Sequence, residues 1–225
     1  MIEFQKRVIG QEDIEKEIRM AETKNREASF INKVIQEVNL SGKIIKVGLN
    51  FENAKILGNA YFNKTVIFGN LNFKEAKIFG VFYLGEGAIS GEINCQKIFV
   101  GEVMNLIGAT LEKNINLEEA QIFGFLSFQK SNIGGNIFAK KIKIQDLKGR
   151  PGIIKGDIYF QNARIKGSVN LEEGDISGMI DFQRAIIGGD LNLRNAVIQD
   201  LLILKNGIIE GKARLEGLNF KEKID

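Results

Sequence analysis

The stretch Ala163–Phe182, ARIKGSVNLEEGDISGMIDF, holds two successive copies of one short pattern. Ile165 and Ile176 are followed two residues on by Gly167 and Gly178, four on by Val169 and Ile180, and six on by Leu171 and Phe182. The pattern, aliphatic-x-Gly-x-aliphatic-x-Leu/Phe-x-x-small-x, continues in both directions at a spacing of eleven residues. With the first aliphatic residue as position zero, the series is Val34, Ile45, Ile56, Ile67, Ile78, Ile89, Val100, Leu111, Ile122, Ile133, Ile144, Ile154, Ile165, Ile176, Ile187, Ile198 and Ile209, without exception Val, Ile or Leu. Position nine is usually small, as at Ala54, Ala76, Ala109, Ala120, Ala163, Ala185 and Ala196. One step, from Ile144 to Ile154, is a residue short and contains the only proline, Pro151.

Apolar spacings of two place alternate residues on one face, which is strand geometry. A helical reading of the eleven-residue period fails, because a glycine in nearly every unit costs about 1 kcal/mol each in a helix interior. Ile at the anchor position also favours strand. Short strands separated by glycine at a fixed place describe a chain that turns a corner every few residues. Successive coils then stack strand on strand, and neighbours supply the core that one repeat cannot bury alone. Outward positions fix the coil length. Leu57, Phe79 and Phe123, Val81, Val103 and Phe125, and Tyr61 and Tyr83 recur at multiples of 22, while Asn70, Asn72, Asn94, Asn114, Asn116 and Asn136 fill those slots in the intervening units. The expected fold is an all-β solenoid of about 22 residues per coil, about eight coils and roughly 40 Å long at the strand spacing.

The run Ala163–Phe182 resembles the pentapeptide-repeat proteins and their eleven-residue relatives, over about four fifths of the chain. In that comparison the position-zero Ile and the position-six Leu or Phe are the central inward residues, although the spacing here alternates five and six. The resemblance implies a right-handed β-helix that works through protein contact. Bactofilin-type cytoskeletal proteins are a second solenoid comparison, with longer repeats.

Composition narrows the chemistry. The 225 residues include no His, no Trp and one Cys, and 31 basic residues nearly balance 28 acidic ones. No His and one Cys exclude His-based acid–base catalysis, a Cys–His dyad and Cys/His zinc sites. A single Cys excludes an intramolecular disulfide and fits a reducing compartment, so the expected location is cytoplasmic. A net charge of +3 argues neither for nucleic acid nor for a membrane surface, and it argues against mimicry of DNA by an acidic face. No run reaches the roughly 18 apolar residues of a membrane span, and residues 1–10 lack a targeting signature. Cys95 occupies an inward slot and reads as a core residue. Gly58–Thr65, GNAYFNKT, lacks the second glycine of a phosphate loop. Three threonines are too few for an ice-binding array.

The ends and one interruption differ from the repeat. Gln11–Arg26 has Ile14, Ile18 and Ala21 at helical spacing amid dense charge, an amphipathic helix expected to cap the first coil. The expected division is therefore a helical cap over residues 1–33 and a solenoid over 34–225. Lys148 and Arg150 break the core pattern within 145–152, where an outward loop is expected. The candidate interface is the apolar stripe Leu57, Tyr61, Phe79, Val81, Tyr83, Val103, Phe123 and Phe125, because so contiguous a stripe is expected to be covered, by the N-terminal helix or by a second chain. A shorter stripe of Tyr159, Met179, Leu201 and Ile203 is expected on the alternate face. The expected function is a non-enzymatic interaction scaffold without metal or cofactor, self-associating as a homodimer, with a protein partner. Polymerisation through the solenoid ends is one alternative. A β-helical carbohydrate enzyme using Glu172, Glu173, Asp175 and Arg164 is another.

Overall fold

The computed structural model describes residues 7–150 and 152–225. The fold is an all-β parallel solenoid of about ten coils with one short helix. Each coil contributes four short strands, one to each of four faces. In the second coil these are Ile44–Ile45 on face one, Leu49–Asn50 on face two, Lys55–Ile56 on face three and Ala60–Tyr61 on face four. Each of these strands pairs in parallel with its equivalent one coil on, Ile45 with Ile67, Leu49 with Leu71, Ile56 with Ile78 and Ala60 with Phe82. The stack exceeds the eight coils counted from the repeat because strands join it at both ends. Val8–Ile9 pairs with Val34–Ile35 and Ala28–Ser29 with Leu49–Asn50, both upstream of Val34, and Asn219–Ile224 adds a layer downstream.

Two details of the repeat count are corrected. Ile35 rather than Val34 is the inward residue of the first coil, fully buried and paired with Ile56, while Val34 sits opposite the outward Lys55. Val38 nonetheless pairs with Ala60, so this corner is one residue short. The second correction concerns Ile154. It is not an anchor, because Leu147–Arg150 and Gly152–Ile154 form a separate antiparallel hairpin. Partners across this segment are 32 residues apart instead of 22, Leu126 with Ile158 and Ile144 with Ile176. The apparent short repeat is thus a ten-residue insertion at one corner, and Asp146 closes its base by accepting the Gly156 amide at 2.9 Å and the Ser177 hydroxyl at 2.8 Å. The expected excursion from the coil is present; the side chains of Lys148 and Arg150, and Pro151, lie outside the described residues.

Position eight of almost every unit has a left-handed backbone, from Asn53 (φ 54°) through Lys130 (φ 55°) to Asn206 (φ 56°), mostly without glycine. Left-handed backbone costs an L-residue roughly 1–2 kcal/mol, and local hydrogen bonds offset it. The Ala54 amide donates to the Phe51 carbonyl, and the Asn53 amide donates onward to Lys74 in the next coil. Position-five asparagines hold the approach to this turn: Asn50, Asn72, Asn94 and Asn116 each accept the amide two residues on, at 2.9–3.1 Å. Position-three polar residues act between coils, as where Asn70 accepts the Glu92 amide and Asn114 the Asn136 amide. The asparagines therefore serve chiefly the backbone, with direct amide stacking at Asn50–Asn72 and Asn114–Asn136.

Inward residues stack on their own kind. Phe30, Phe51 and Phe73 run up face two with ring centroids 4.6 and 4.8 Å apart, and Phe128, Phe160 and Phe182 run up face four at 5.2 and 4.7 Å. Two hydroxyls replace the small apolar residue at position nine, and both are satisfied: Thr65 donates to Leu40 O and Ser131 to Phe128 O, each at 2.7 Å.

The helix α1, Gln11–Thr23, lies across the first coil with Ile14, Ile18 and Ala21 buried in the core. Its observed end precedes the expected one at Arg26, whose guanidinium instead pairs with Glu17 at 2.6 Å. That pairing, with the Ser29 amide as a further donor, holds the Glu17 carboxyl below its ordinary value.

Replacing Phe160 by Ala removes the middle ring of a buried stack and is expected to cost about 3–5 kcal/mol in equilibrium denaturation. At the exposed, left-handed Arg184, Gly is expected to raise stability by up to about 1 kcal/mol, whereas the β-branched Ile is expected to lower it by about as much.

Candidate functional site

The eight candidate residues lie along one edge of the solenoid, the corner between faces three and four. Leu57, Phe79 and Phe123 leave face three just before the corner, Val81, Val103 and Phe125 follow it, and Tyr61 and Tyr83 continue onto face four. Leu57 and Phe79 are 38% and 43% exposed, and the other six are half-buried. The corner between them is nearly bare, because its column reads Gly58, Gly80, Glu102 and Gly124.

One member was missed. Phe99 sits between Phe79 and Phe123, with centroids 5.9 and 5.6 Å away. Gly101 makes this possible. It takes the place in the Leu57–Phe79–Phe123 column where a Cβ would come within 2.4 Å of the Phe79 carbonyl oxygen, so the neighbouring column supplies the ring instead. Reading by columns of 22 hides this, since Phe99 belongs to the series Lys55, Lys77, Phe99, Gln121. Lys55 places its ammonium 5.3 Å from the centre of the Phe79 ring, a cation–π contact at one end of the run.

The shorter stripe is on this edge as well, contrary to expectation. Tyr159 stands beside Ser127 on face four, above Asn105 and Tyr83, because the hairpin insertion leaves the faces in phase. Its ring meets Phe125 edge-on at 5.8 Å. Its hydroxyl donates to Asp157 at 2.7 Å, and burial first, then this bond, raises the phenol well above its usual range. A second exposed apolar pair was not anticipated: Ile44 and Phe68 on face one are 67% and 58% exposed. Both lie next to the anchors Ile45 and Ile67, in outward slots of the asparagine-bearing units other than those that hold the asparagines.

The helix does not lie on the stripe. It packs across the end of the stack, against Ala28–Ser29 and Val38–Asn39.

The remaining candidates are not assembled into a reactive centre. Arg164 lies on face one and Asp175 on face three. Glu172 and Glu173, near the corner leading to face three, are engaged by Lys140 at 3.4 and 3.2 Å, with Arg194 and Lys141 completing the network. The Lys140 contact holds Glu173 below the ordinary carboxylate value, the reverse of what a general acid needs. Cys95 is fully buried, and burial pushes its thiol far up. Thr65, at the end of the phosphate-loop-like stretch, is buried and committed to Leu40. Among the described residues no three His, Cys, Asp or Glu groups converge as a metal site would require, and no helix is long and apolar enough to cross a membrane.

No family model, curated protein or solved structure matches the chain. The site is therefore defined by its geometry, an apolar edge with three consecutive phenylalanine rings on backbone paired between coils.

Gly101→Ala is expected to force the Phe79 backbone or Phe99 aside and to cost about 1–3 kcal/mol, read as a lower denaturation midpoint.

Proposed function

We propose that this chain is a non-enzymatic, pentapeptide-repeat-like interaction scaffold of the cytoplasm, acting through fixed outer faces and self-associating as a homodimer along its apolar edge. The supporting observation is the run Phe79–Phe99–Phe123, flanked by Leu57, Val81, Val103 and Phe125. Contiguous apolar surface of this kind marks a contact site, and aromatic side chains are the type enriched at the anchors of protein interfaces. Rigidity adds to it. Each ring is carried by backbone paired on both sides, so little conformational entropy is lost on association. The cytoplasmic assignment rests on a single cysteine whose thiol is buried and unreactive.

Light scattering on a sizing column, over a tenfold concentration range, tests the reading. The unaltered chain is expected to run as a dimer, and Phe79→Asp with Phe123→Asp as a monomer with an unchanged β circular-dichroism spectrum. A unaltered chain that is monomeric throughout the range would remove the dimer.

A further inference from the structure

We propose that face one is a second contact surface, and that its partner is another copy of this chain laid antiparallel across it, about a two-fold axis between Thr110 and Asn132. The inference does not rest on the apolar edge, which lies elsewhere on the solenoid.

Face one carries two outward columns, one on each side of its buried anchors. The first runs from Ile44 through Thr110 and Asn132 to Ile208, each step fixed by the pairing between coils. The second, two residues on, runs from Lys46 through Glu112 and Gly134 to Glu210. Both cross the hairpin insertion without a shift, since Asn132 pairs with Arg164. All of these residues are exposed or half-buried, and Ile44 and Phe68 are the most exposed large apolar side chains among the described residues. Among the described residues, Lys46, Glu112, Arg164, Lys166 and Glu210 make no ion pair within the chain.

The two halves of the face differ in relief. The earlier half projects Ile44 and Phe68. The later half has Gly134 and Gly188 in the second column, and a depression of about 310 Å³ between Arg164, Lys166, Ile186 and Gly188. A two-fold axis perpendicular to the rod and between Thr110 and Asn132 brings each half against the other. Phe68 of one copy then meets Gly188 of the second and enters the depression. Glu112 meets Gly134, with Lys166 in the adjacent row. Ala88 meets Arg164, and Ser90 meets Lys166. Ile44 meets Ile208, and Val66 meets Ile186. Lys46 meets Glu210. Bulk thus faces a small residue, apolar faces apolar and opposite charges meet, and the symmetry makes every contact twice. An axis along the rod would instead set Arg164 against Lys166 and Ile44 against Lys46, which like charge and burial of an ammonium both oppose.

The face has eight strands, so at the strand spacing it measures roughly 38 Å by 10 Å, or roughly 400 Å² per copy. Doubled, that is below the roughly 1,200 Å² at which stable interfaces begin. The contact is therefore reversible and forms at concentrations above those of a sizing column.

Sedimentation equilibrium of the full chain with Phe79→Asp and Phe123→Asp, which remove association along the edge, isolates this face. The expected result is a monomer–dimer equilibrium at high concentration, whose association constant falls at least about tenfold on Phe68→Asp. Lys46→Glu also weakens it, and Glu210→Lys in the same chain restores it, because each charge meets its opposite in the other copy. Oxidative cross-linking reads the orientation. Chains with Ile44→Cys and chains with Ile208→Cys are expected to cross-link when mixed, and neither with itself, since the native Cys95 is buried. The proposal is overturned if the edge variant stays monomeric at the highest concentration, or if Phe68→Asp leaves the constant unchanged. It is equally overturned if the Ile44→Cys chain cross-links with itself or the mixture does not cross-link.

Discussion

The parallel ladder between coils is the constraint on which the rest depends. It holds residue n against its equivalent one coil later, so every column along the solenoid is a stack of side chains in contact. In a column an apolar residue is buried by its like above and below, and a polar one must find a partner there or in its own turn. Phenylalanine on phenylalanine, asparagine on backbone amide and lysine on glutamate all follow from that one register. The left-handed column Glu75, Lys97, Glu119, Lys141 and Glu173 alternates in sign, with ion pairs at Lys97–Glu119 and Lys141–Glu173. Such exposed pairs add little stability, but like charges repeated at the strand spacing would oppose the stack.

This also explains which features were legible in the sequence. Inward positions repeat because the stack demands it, so Ile56, Phe62 and Leu71 could be assigned to the core from spacing alone. The coil length followed from Phe79, Phe123 and their neighbours. Features that break the register were harder to read. Ile154 mimics an anchor only because an insertion of ten residues differs by one from the repeat of eleven. That coincidence displaced Tyr159 and Met179 to the wrong face in the sequence reading. Val34 was mistaken for Ile35 because one corner lacks a residue, and both neighbours are β-branched. Phe99 reaches its place across columns, through the gap left by Gly101, and no one-column pattern contains it. The bonds of Gln11, Glu17 and Glu22 to the Asn39, Ser29 and Lys46 amides of the first coil depend on where the helix lands, which helical periodicity leaves open.

The helix-bearing end of the solenoid differs from the interior coils, although the repeat is uniform. At the first coil, the Gln11, Glu17 and Glu22 side chains accept the Asn39, Ser29 and Lys46 amides on three faces, in the place a neighbouring strand takes in interior coils. The lateral edge differs again, since its rings are held by the interior of the stack.

The hairpin at Leu147–Ile154 leaves the pairing on both sides of it unaltered: Ile144 still meets Ile122 below and Ile176 above. A corner is therefore a port. Chain can leave the coil there, build an ornament of its own and return without any other column shifting. Length and decoration become independent variables in such a molecule. Whole coils extend the rod, and corner insertions furnish it with new shapes. A segment grafted at a corner would inherit a fixed position and a rigid base without having to contribute to the core.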